Sequence, residues 1–560
     1  MISSYLNPIP SLPKPPGPHR VGTTEFEIPV SEISSSSSVP DEKIVTIKFR
    51  IFYPTTESAT SKSSVPWLPS PQRTWQQAYA SFLGANSRVS SLVSYLPFTI
   101  NYTTLPVLAD APLLPRNSST QFPLAIFSHG LGGNFNTYSS ICTSLASFGV
   151  VCVAPEHRDG SAPTSLIRSA DGSTTAIPYQ KLAHSPTAEV LNARNAQLRI
   201  RLWELELLFS AVTGLHMGKE YTNYASSSTH RPEEMPSFEK KLNLQPGQVS
   251  WVGHSFGAAT IVQFIKSVYY HQYLPSLKDT PYENDMDWRP LYKPAANHDL
   301  VRQVTPASPI GLLDLWTMPL RGELTQWLWE RPLPCYDCEA GVDGDKIPPN
   351  VVAIVTAEFY KYTDLLNRMK AALSANPVEA MQSFDSRSSV VATSNASTDE
   401  STAPSTPDEA ALESDLGIEE AGITAFDVDA QSPASSRTST PSNDSISERD
   451  SSASSSMTSF APLVESDGNI TPKMFLIPNS AHLSQSDFGV LFPRLTRYLM
   501  KAQEPEETLN LNVRAVLAVM RGAGLDIAAH RPGDDTEAAV DTILTDRCTE
   551  KRFIPISLSS

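Results

Sequence analysis

The sequence predicts an α/β protein built on a mainly parallel β-sheet with helices on both faces. Short apolar runs rich in β-forming residues alternate with longer segments that have helical patterns, and this alternation is typical of such sheets. The chain has 560 residues, which is enough for one large domain with additional segments.

Seven apolar runs are predicted to be strands. They cover residues 44–53, 124–127, 150–154, 249–252, 310–313, 351–355 and 474–477. Three longer segments are predicted to be helices, and in the first of them Leu, Ile, Trp and Phe recur at helical spacing. The predicted helices cover residues 189–215, 257–270 and 509–521.

An acidic segment accounts for most of the net charge. Residues 385–459 contain 14 Asp or Glu, three Arg and no Lys, so they contribute −11 of the chain's −16. Ser, Thr, Ala, Pro and Asp dominate this segment, which therefore buries too little apolar surface to offset its ordering entropy. We predict a disordered acidic insertion over residues 381–465. Its Ser/Thr-Pro pairs leave two interpretations open, a passive solvated loop and a phosphorylated regulatory segment.

The composition argues against several classes of protein. A net charge of −16 argues against a nucleic-acid partner, because nucleic-acid phosphates demand clustered Lys and Arg. Five cysteines, an odd number, do not form a disulfide framework. We expect Cys142 and Cys152 in the core. The lone pair Cys335 and Cys338 indicates neither a zinc site nor a redox site. The amino terminus lacks the pattern of a secretory signal, and no apolar run approaches the ~18 to 20 residues of a membrane span. We therefore expect an intracellular, cytoplasmic protein.

A serine-centred turn is the motif that carries chemistry. Residues 253–257 have the sequence Gly-His-Ser-Phe-Gly, directly after the strand 249–252 and directly before a helix that begins with small residues. Both glycines are needed because the turn is too tight for side chains at their positions. The turn places the serine at the carboxyl end of the sheet, beside the positive end of a helix dipole. The motif predicts Ser255 as a nucleophile and an α/β-hydrolase fold.

The serine hydroxyl needs a base that accepts its proton and an acid that orients this base, in the chain order Ser, Asp or Glu, His. The histidines after Ser255 are His271, His298, His482 and His530, and only His482 lies just beyond a predicted strand. We therefore predict His482 as the base, with a surface loop histidine as the structural alternative.

Asp314 is the predicted orienting acid. It directly follows the apolar run 310–313, the strand after the nucleophile's helix. Its carboxylate would hold the tautomer of His482 and stabilise the imidazolium without taking the proton. The structural alternative is a helix N-cap.

Two backbone amides are predicted to stabilise the oxyanion. One belongs to Phe256, the residue after the nucleophile. The other is expected after the strand 124–127, where residues 127–133 have the sequence Phe-Ser-His-Gly-Leu-Gly-Gly, and we assign it to Leu131. For His129 and His157 we expect loop hydrogen bonds near the site rather than direct chemistry.

An ordered set of segments resembles one known family. The set comprises residues 127–132, the Glu-His-Arg-Asp of residues 156–159, the serine motif, the Asp-Leu-Trp-Thr-Met-Pro-Leu of residues 314–320, and Ala481-His482. It is similar to the platelet-activating factor acetylhydrolases of the plasma and intracellular type II group. Residues 16–24 resemble the family's amino-terminal strand region, so the similarity extends over nearly the whole chain except the acidic insertion.

This resemblance implies calcium-independent hydrolysis of the sn-2 ester of phospholipids with acetyl, short or oxidised acyl chains. It matches Ser255, Asp314 and His482 to the family's triad, and Leu131 and Phe256 to its oxyanion donors. We expect a phospholipid substrate, no metal and no other cofactor. A general carboxylesterase or polyester hydrolase of the same fold is the main alternative, and a pseudoenzyme scaffold that acts through the insertion is another.

These predictions divide the chain into four segments. Residues 1–380 are the first part of the hydrolase domain, 381–465 the insertion, 466–530 the second part with the catalytic histidine, and 531–560 a carboxyl-terminal tail.

A lipid ester has to leave a membrane or micelle to reach a buried serine, so apolar surface is expected at the entrance. Apolar side chains are frequent in residues 67–98 and 488–499, where a peripheral membrane contact and core packing are equally good interpretations.

Overall fold

The structure is a computed structural model, and it describes most of the chain in eleven ranges. These are residues 9–35, 37–60, 63–96, 98–116, 120–225, 235–274, 289–337, 349–395, 472–529, 541–545 and 547–558. Cys338, His530 and the part of the predicted insertion at 396–465 lie outside the described residues.

Twelve strands occur in the described residues. They are β1 (Arg20–Pro29), β2 (Thr46–Thr55), β3 (Leu108–Ala109), β4 (Leu124–Ser128), β5 (Val151–Glu156), β6 (Thr164–Arg168), β7 (Thr174–Pro178), β8 (Val249–His254), β9 (Ile310–Leu313), β10 (Val351–Thr356), β11 (Lys473–Ile477) and β12 (Ile554–Ile556). All seven predicted strands are among them, with ends shifted by a few residues.

Ten of these strands form one sheet, in the order β12-β11-β10-β9-β8-β4-β5-β2-β1-β3. The six central strands from β11 to β5 are parallel to one another, whereas β2 pairs antiparallel with β5 and with β1, and β12 pairs antiparallel with β11. The prediction of a mainly parallel sheet is confirmed. Strands β6 and β7 form a separate antiparallel hairpin.

The described residues contain thirteen α-helices, which cover the two faces of the sheet. They are α1 (Gln72–Phe82), α2 (Ser87–Val93), α3 (Ser139–Ser147), α4 (Ala188–His216), α5 (Phe256–Tyr269), α6 (Asp299–Gln303), α7 (Glu323–Trp329), α8 (Ala357–Tyr360), α9 (Thr363–Ala372), α10 (Pro377–Asn395), α11 (Asp487–Leu491), α12 (Pro493–Met500) and α13 (Pro505–Gly522). The three predicted helices correspond to α4, α5 and α13.

Apolar residues of the parallel strands alternate between two cores, one on each face of the sheet. On β8, Val249 and Trp251 belong to the core that α4 and α5 cover, whereas Val252 belongs to the core that α3 and α13 cover. Each face of the sheet has its own core because the parallel strands are buried on both faces. Cys142 and Cys152 are buried in the second core, as predicted.

The apolar pattern did not predict strand β1, because charged residues interrupt it; only the resemblance of residues 16–24 to the family's amino-terminal strand region indicated a strand here. Glu25 and Glu27 lie in the middle of the strand and are nevertheless buried. Glu25 pairs with Lys48 at 3.1 Å, and Glu27 pairs with Arg158 at 3.0 Å. Buried charges of this kind are tolerated when they are paired and hydrogen-bonded, and the partners come from distant parts of the sequence.

The carboxyl-terminal residues, predicted to be a tail, pack against the hydrolase domain where they are described. Strand β12 extends the sheet at its edge, and the Phe553 ring stacks on Phe475 with a centroid distance of 4.1 Å. Ile543 is fully buried, and Asp541 forms a hydrogen-bonded ion pair with Arg514 of α13. At the other predicted boundary, helix α10 continues past residue 381 as far as Asn395.

No helix within the described ranges is both long enough and apolar enough to span a membrane.

Candidate active site

Ser255 occupies a strained turn between β8 and α5. Its backbone has φ 56° and ψ −120°, a left-handed conformation that residues with a side chain rarely adopt. A Cβ on Gly253 would lie 2.5 Å from the carbonyl carbon of Gly257, and a Cβ on Gly257 would lie 2.0 Å from the carbonyl oxygen of Ser128. The two glycines of the motif are therefore required by close backbone contacts, as the sequence predicted.

Asp314 follows β9 directly, at the same edge of the sheet as Ser255. Its carboxylate is fully buried and accepts three hydrogen bonds. Oδ1 accepts the amide of Thr356 at 2.7 Å, and Oδ2 accepts the Thr356 hydroxyl at 2.7 Å and Nδ1 of His482 at 2.9 Å. The structure thus brings together the predicted acid and the predicted base, which are 168 residues apart in the sequence.

The imidazole of His482 is held from several sides. Its ring lies between the rings of His254 and Phe359, each at a centroid distance of 4.2 Å. Its backbone amide donates to Oε2 of Glu358 at 2.7 Å. With Nδ1 donating to Asp314, Nε2 of the neutral ring is the atom that accepts a proton.

Burial shifts the proton affinities of this pair in opposite directions. It lowers the pKa of His482, with a smaller contribution from nearby His184, so the imidazole is neutral at neutral pH. It raises the pKa of Asp314, while the hydrogen bonds from Thr356 act in the opposite direction. A neutral imidazole is the form that a general base requires.

Ser255 and His482 line the same apolar cavity, whose volume is about 300 Å³. Its walls come from the segment 67–100, from the loop after β4, and from the residues after β11. Among the lining residues are Trp67, Leu68, Tyr79, Phe82, Leu83, Val93, Phe98, Leu131, Tyr138, Tyr179, His184, Phe488, Phe492 and Leu495. The cavity therefore presents apolar and aromatic surface directly beside the serine hydroxyl.

Leu131, one of the two predicted oxyanion donors, also lines the cavity. The amides on either side of it are already used, because Gly130 donates to the hydroxyl of Tyr138 at 3.1 Å and Gly132 donates to the Ser161 carbonyl at 2.9 Å. The backbone of this loop passes close to the serine, since a Cβ on Gly130 would lie 3.0 Å from Cβ of Ser255.

Phe256, the other predicted donor, is the first residue of α5. The first amides of a helix have no acceptor within the helix, so the amide hydrogen of Phe256 is not bonded to any carbonyl of α5.

His254, Asp314 and His482 have their side-chain nitrogen and oxygen atoms within 4.8 Å of one another, a spacing that suits a metal ion. Two of these atoms have protein partners, since Nδ1 of His482 bonds Asp314 and Nδ1 of His254 bonds the hydroxyl of Tyr138 at 2.8 Å, whereas Nε2 of His254 has no hydrogen-bond partner among the described residues. The hydrogen bond from His482 to Asp314 is the arrangement that orients an imidazole for proton transfer.

Sequence reasoning missed several residues around His482. Thr356 is the last residue of β10, and Glu358 and Phe359 follow it, so the end of that predicted strand was the signal that would have drawn attention to them. His254 lies inside the serine motif at its variable position, and nothing in the sequence indicates that it stacks on His482.

The other histidines have local contacts. His271 bonds the carbonyl of Val268, and His298 caps α6. His129 and His157 form hydrogen bonds beneath the loop after β4, as predicted.

The strand order and the serine turn define the class of the protein. A mainly parallel sheet carries Ser255 between a strand and a helix, Asp314 after the next strand and His482 after the last parallel one. This is the α/β-hydrolase fold.

Comparisons with known proteins show which proteins the chain is similar to. A model of the family described as platelet-activating factor acetylhydrolase, isoform II, matches residues 6–276. The platelet-activating factor acetylhydrolase of Cavia porcellus is 28% identical over 257 residues, which are 45% of this chain and 52% of that protein. The one of Bos taurus is 30% identical over 218 residues, 38% of this chain and 45% of that protein.

The match to the family model covers just under half of the 560 residues. The match includes Leu131, Ser255 and Phe256 and ends before Asp314 and His482. The chain spans about half the length of the curated relatives it matches. Among solved structures, a ferulic acid esterase from Streptomyces cinnamoneus superimposes with a TM-score of 0.27 and 16% identity over 46% of this chain and 58% of that chain.

Proposed function

We propose that the protein is a serine esterase that hydrolyses the sn-2 ester of phospholipids with acetyl, short or oxidised acyl chains, without calcium. One observation carries this proposal. Ser255 lines an apolar cavity together with His482, whose Nδ1 is bonded to the buried carboxylate of Asp314. The match of residues 6–276 to the family model supports the choice of a phospholipid substrate.

The reaction proceeds by acyl transfer in two steps. The Ser255 oxygen attacks the sn-2 carbonyl carbon while Nε2 of His482 takes the hydroxyl proton, and Asp314 stabilises the imidazolium. The tetrahedral intermediate collapses when His482 returns this proton to the oxygen of the leaving lysophospholipid. Water, deprotonated by His482, then attacks the acyl-enzyme and releases the carboxylic acid and free Ser255.

The amides of Leu131 and Phe256 stabilise the negative charge on the tetrahedral oxygen. The flanking amides of Gly130 and Gly132 already donate elsewhere, which supports Leu131 as the donor of this loop. Donors of this kind act strongly because they are fixed before the charge develops and lie in a site that excludes water.

The apolar cavity accommodates the acyl chain. None of the lining side chains in the described residues is Lys or Arg, so the cavity offers no strong cation to a phosphate group. This observation favours a second candidate function, a general carboxylesterase that accepts short-chain esters without a phospholipid headgroup.

Apolar surface near the cavity entrance is proposed to contact a membrane or micelle. The segment 67–98 divides into buried residues such as Trp67 and Trp75 and exposed residues such as Leu92, which is 66% exposed, while Tyr498 on α12 is 84% exposed. Phe98 and Leu495 are exposed and also line the cavity, which connects this surface with the site. An intracellular location stays a prediction.

The main experiment compares the wild-type chain with Ser255→Ala. We expect the wild type to hydrolyse acetyl and oxidised-acyl phosphatidylcholines faster than long-chain ones, equally well with and without a calcium chelator. Ser255→Ala should lose at least about 10³-fold in kcat, because only binding and the oxyanion hole remain. Ser250→Ala is the matched control, since Ser250 is buried on β8, the strand that precedes Ser255, and its hydroxyl has no hydrogen-bond partner within the described ranges.

Retained turnover by Ser255→Ala would contradict the assigned nucleophile. Rapid hydrolysis of a p-nitrophenyl ester combined with no hydrolysis of any of the phospholipids would replace the proposal by the carboxylesterase candidate. For the membrane contact, Leu92→Asp with Tyr498→Asp should lower activity on phospholipid vesicles and leave the p-nitrophenyl ester rate unchanged, whereas the control Met217→Asp, at another exposed apolar residue, should change neither.

A further inference from the structure

A second chain of hydroxyl, imidazole and carboxyl groups lies beneath the loop of residues 128–132, which we name the oxyanion loop. The hydroxyl of Ser128 and Nε2 of His157 are 2.9 Å apart, and Nδ1 of His157 and Oε2 of Glu204 are 2.8 Å apart. Oε1 of Glu204 accepts the backbone amide of Arg158 at 2.9 Å. Ser128 and His157 are fully buried, Glu204 is 2% exposed, and none of these described side chains lines the cavity. This hydrogen-bonded series of side chains therefore acts on the loop and not on a substrate.

His157 also fixes the next residue of the oxyanion loop. Its backbone amide donates to Nε2 of His129 at 3.1 Å, so the proton of the neutral His129 ring is on Nδ1. Nδ1 in turn donates to the carbonyl of Gly130 at 2.9 Å. Burial lowers the pKa of His129 to about 3, which keeps this ring neutral and its tautomer unchanged near neutral pH.

Arg201, less than one turn before Glu204 on α4, holds the loop at a further point. Its Nη1 donates to the carbonyl of His129 at 2.8 Å, its Nε to Asp159 at 2.6 Å and its Nη2 to the hydroxyl of Ser161 at 2.6 Å. The carbonyl of Ser161 accepts the amide of Gly132 at 2.9 Å. The loop is thus hydrogen-bonded on both sides of Leu131.

The same guanidinium group contacts the residue that supplies the other proposed oxyanion amide. The guanidinium carbon of Arg201 lies 4.3 Å from the ring centroid of Phe256. A fully satisfied buried polar network of this kind is rigid, because every group in it would pay a desolvation penalty if it moved away from its partners. Helix α4 therefore links the two backbone segments whose amides form the proposed oxyanion hole.

We infer that Glu204, through His157, is a positioning residue that holds the oxyanion loop in the geometry that stabilises the tetrahedral intermediate. This inference rests on the proposed function. Oxyanion donors act only when they are placed 2.7–3.1 Å from the developing charge, so a small displacement of Leu131 weakens transition-state stabilisation and leaves substrate binding in the apolar cavity unchanged.

The test uses two substitutions of Glu204 and one control. Glu204→Leu removes both hydrogen bonds from a buried position. Glu204→Gln keeps both hydrogen bonds, because the amide oxygen accepts from Arg158 and the amide nitrogen donates to Nδ1 of His157. Burial raises the pKa of Glu204 to about 8, so the neutral amide resembles the side chain as it occurs at neutral pH. Glu206→Leu is the matched control, since Glu206 is equally buried on α4 and bonds Ser35 and Ser37 instead.

The measurements are kcat and KM on a short-chain ester, and the inhibition constant of a trifluoromethyl ketone that forms a tetrahedral adduct with Ser255. We expect Glu204→Leu to lower kcat roughly 10- to 100-fold, a part of the 10²–10³-fold that loss of an oxyanion donor causes. KM should stay within about twofold, and the ketone should bind more weakly by the factor by which kcat falls. Glu204→Gln and Glu206→Leu should both stay within about threefold of the wild type in kcat.

Equal kcat values for Glu204→Leu and Glu206→Leu would overturn the inference, as would unchanged binding of the ketone. If Glu204→Leu does not fold, Ser128→Ala removes the hydroxyl at the other end of the hydrogen-bonded series. An unaltered kcat and an unaltered inhibition constant in that variant would overturn the inference as well. An inactive wild type would instead contradict the proposed function, so the two failures are distinguishable.

Discussion

The substitution Asp314→Asn tests the proposed role of the acid with almost no change in volume. The carboxylate accepts the amide and the hydroxyl of Thr356 and Nδ1 of His482. An asparagine has one oxygen and one NH2 group in place of the two carboxylate oxygens. Its oxygen has to face the amide of Thr356, because the opposite orientation would place two N–H donors against each other in a fully buried site.

The NH2 group of the asparagine then faces Nδ1 of His482. Nδ1 has to become an acceptor, so the ring proton moves to Nε2, the atom that should take the proton of Ser255. The wrong tautomer lowered kcat by about 10⁴-fold when the same change was made in a serine protease triad. At about 1.36 kcal/mol per tenfold change, this corresponds to ~5.4 kcal/mol of transition-state stabilisation.

Initial rates on a short-chain p-nitrophenyl ester measure this effect, and thermal unfolding shows whether the variant is folded. Asp541→Asn is a suitable control because that carboxylate is also buried, pairs with Arg514 and lies outside the site. We expect the control to retain its kcat. If a folded Asp314→Asn variant kept more than about a tenth of the wild-type kcat, Asp314 would not determine the tautomer of the catalytic base.

Three further predictions follow from the geometry. Gly257→Ala should abolish activity and lower the free energy of unfolding by roughly 1–3 kcal/mol, because its Cβ would lie 2.0 Å from the Ser128 carbonyl oxygen; a fully active variant of unchanged melting temperature would contradict the account of the turn. The profile of kcat/KM against pH should be level from pH 8 to pH 7 and fall only below 6.5, because burial lowers the pKa of His482 and the base acts in its unprotonated form; an acid limb centred above 6.5 would show that the carboxylate outweighs burial. Replacement of residues 400–465 by a short Gly/Ser linker should leave kcat on the p-nitrophenyl ester unchanged, and a folded but inactive product would show that the segment is not a passive insertion.

Local sequence patterns were sufficient for the central sheet and for the position of the serine. The predicted runs coincide with the parallel strands because strands buried on both faces need several adjacent apolar residues, whatever their neighbours are. The turn at Ser255 was predictable for a similar reason, since the glycine requirement at residues 253 and 257 arises from contacts within the strand-turn-helix unit and with the adjacent strand β4. The same logic placed Asp314 and His482 at the ends of two parallel strands.

The tertiary structure alone decided how these residues are held. The hydrogen bond between His482 and Asp314, the ring of Phe359 against the imidazole, and the hydrogen bonds from Ser128 through His157 to Glu204 join positions that lie 29 to 168 residues apart. The apolar patterns did not predict strand β1, with its buried glutamates, or strand β12 at the sheet edge, because their stability comes from partners elsewhere in the chain. The sequence determined which backbone segments form strands and tight turns, because those choices depend on neighbouring residues. Burial, the tautomers of the histidines and the shape of the cavity depend on side chains that meet only after folding.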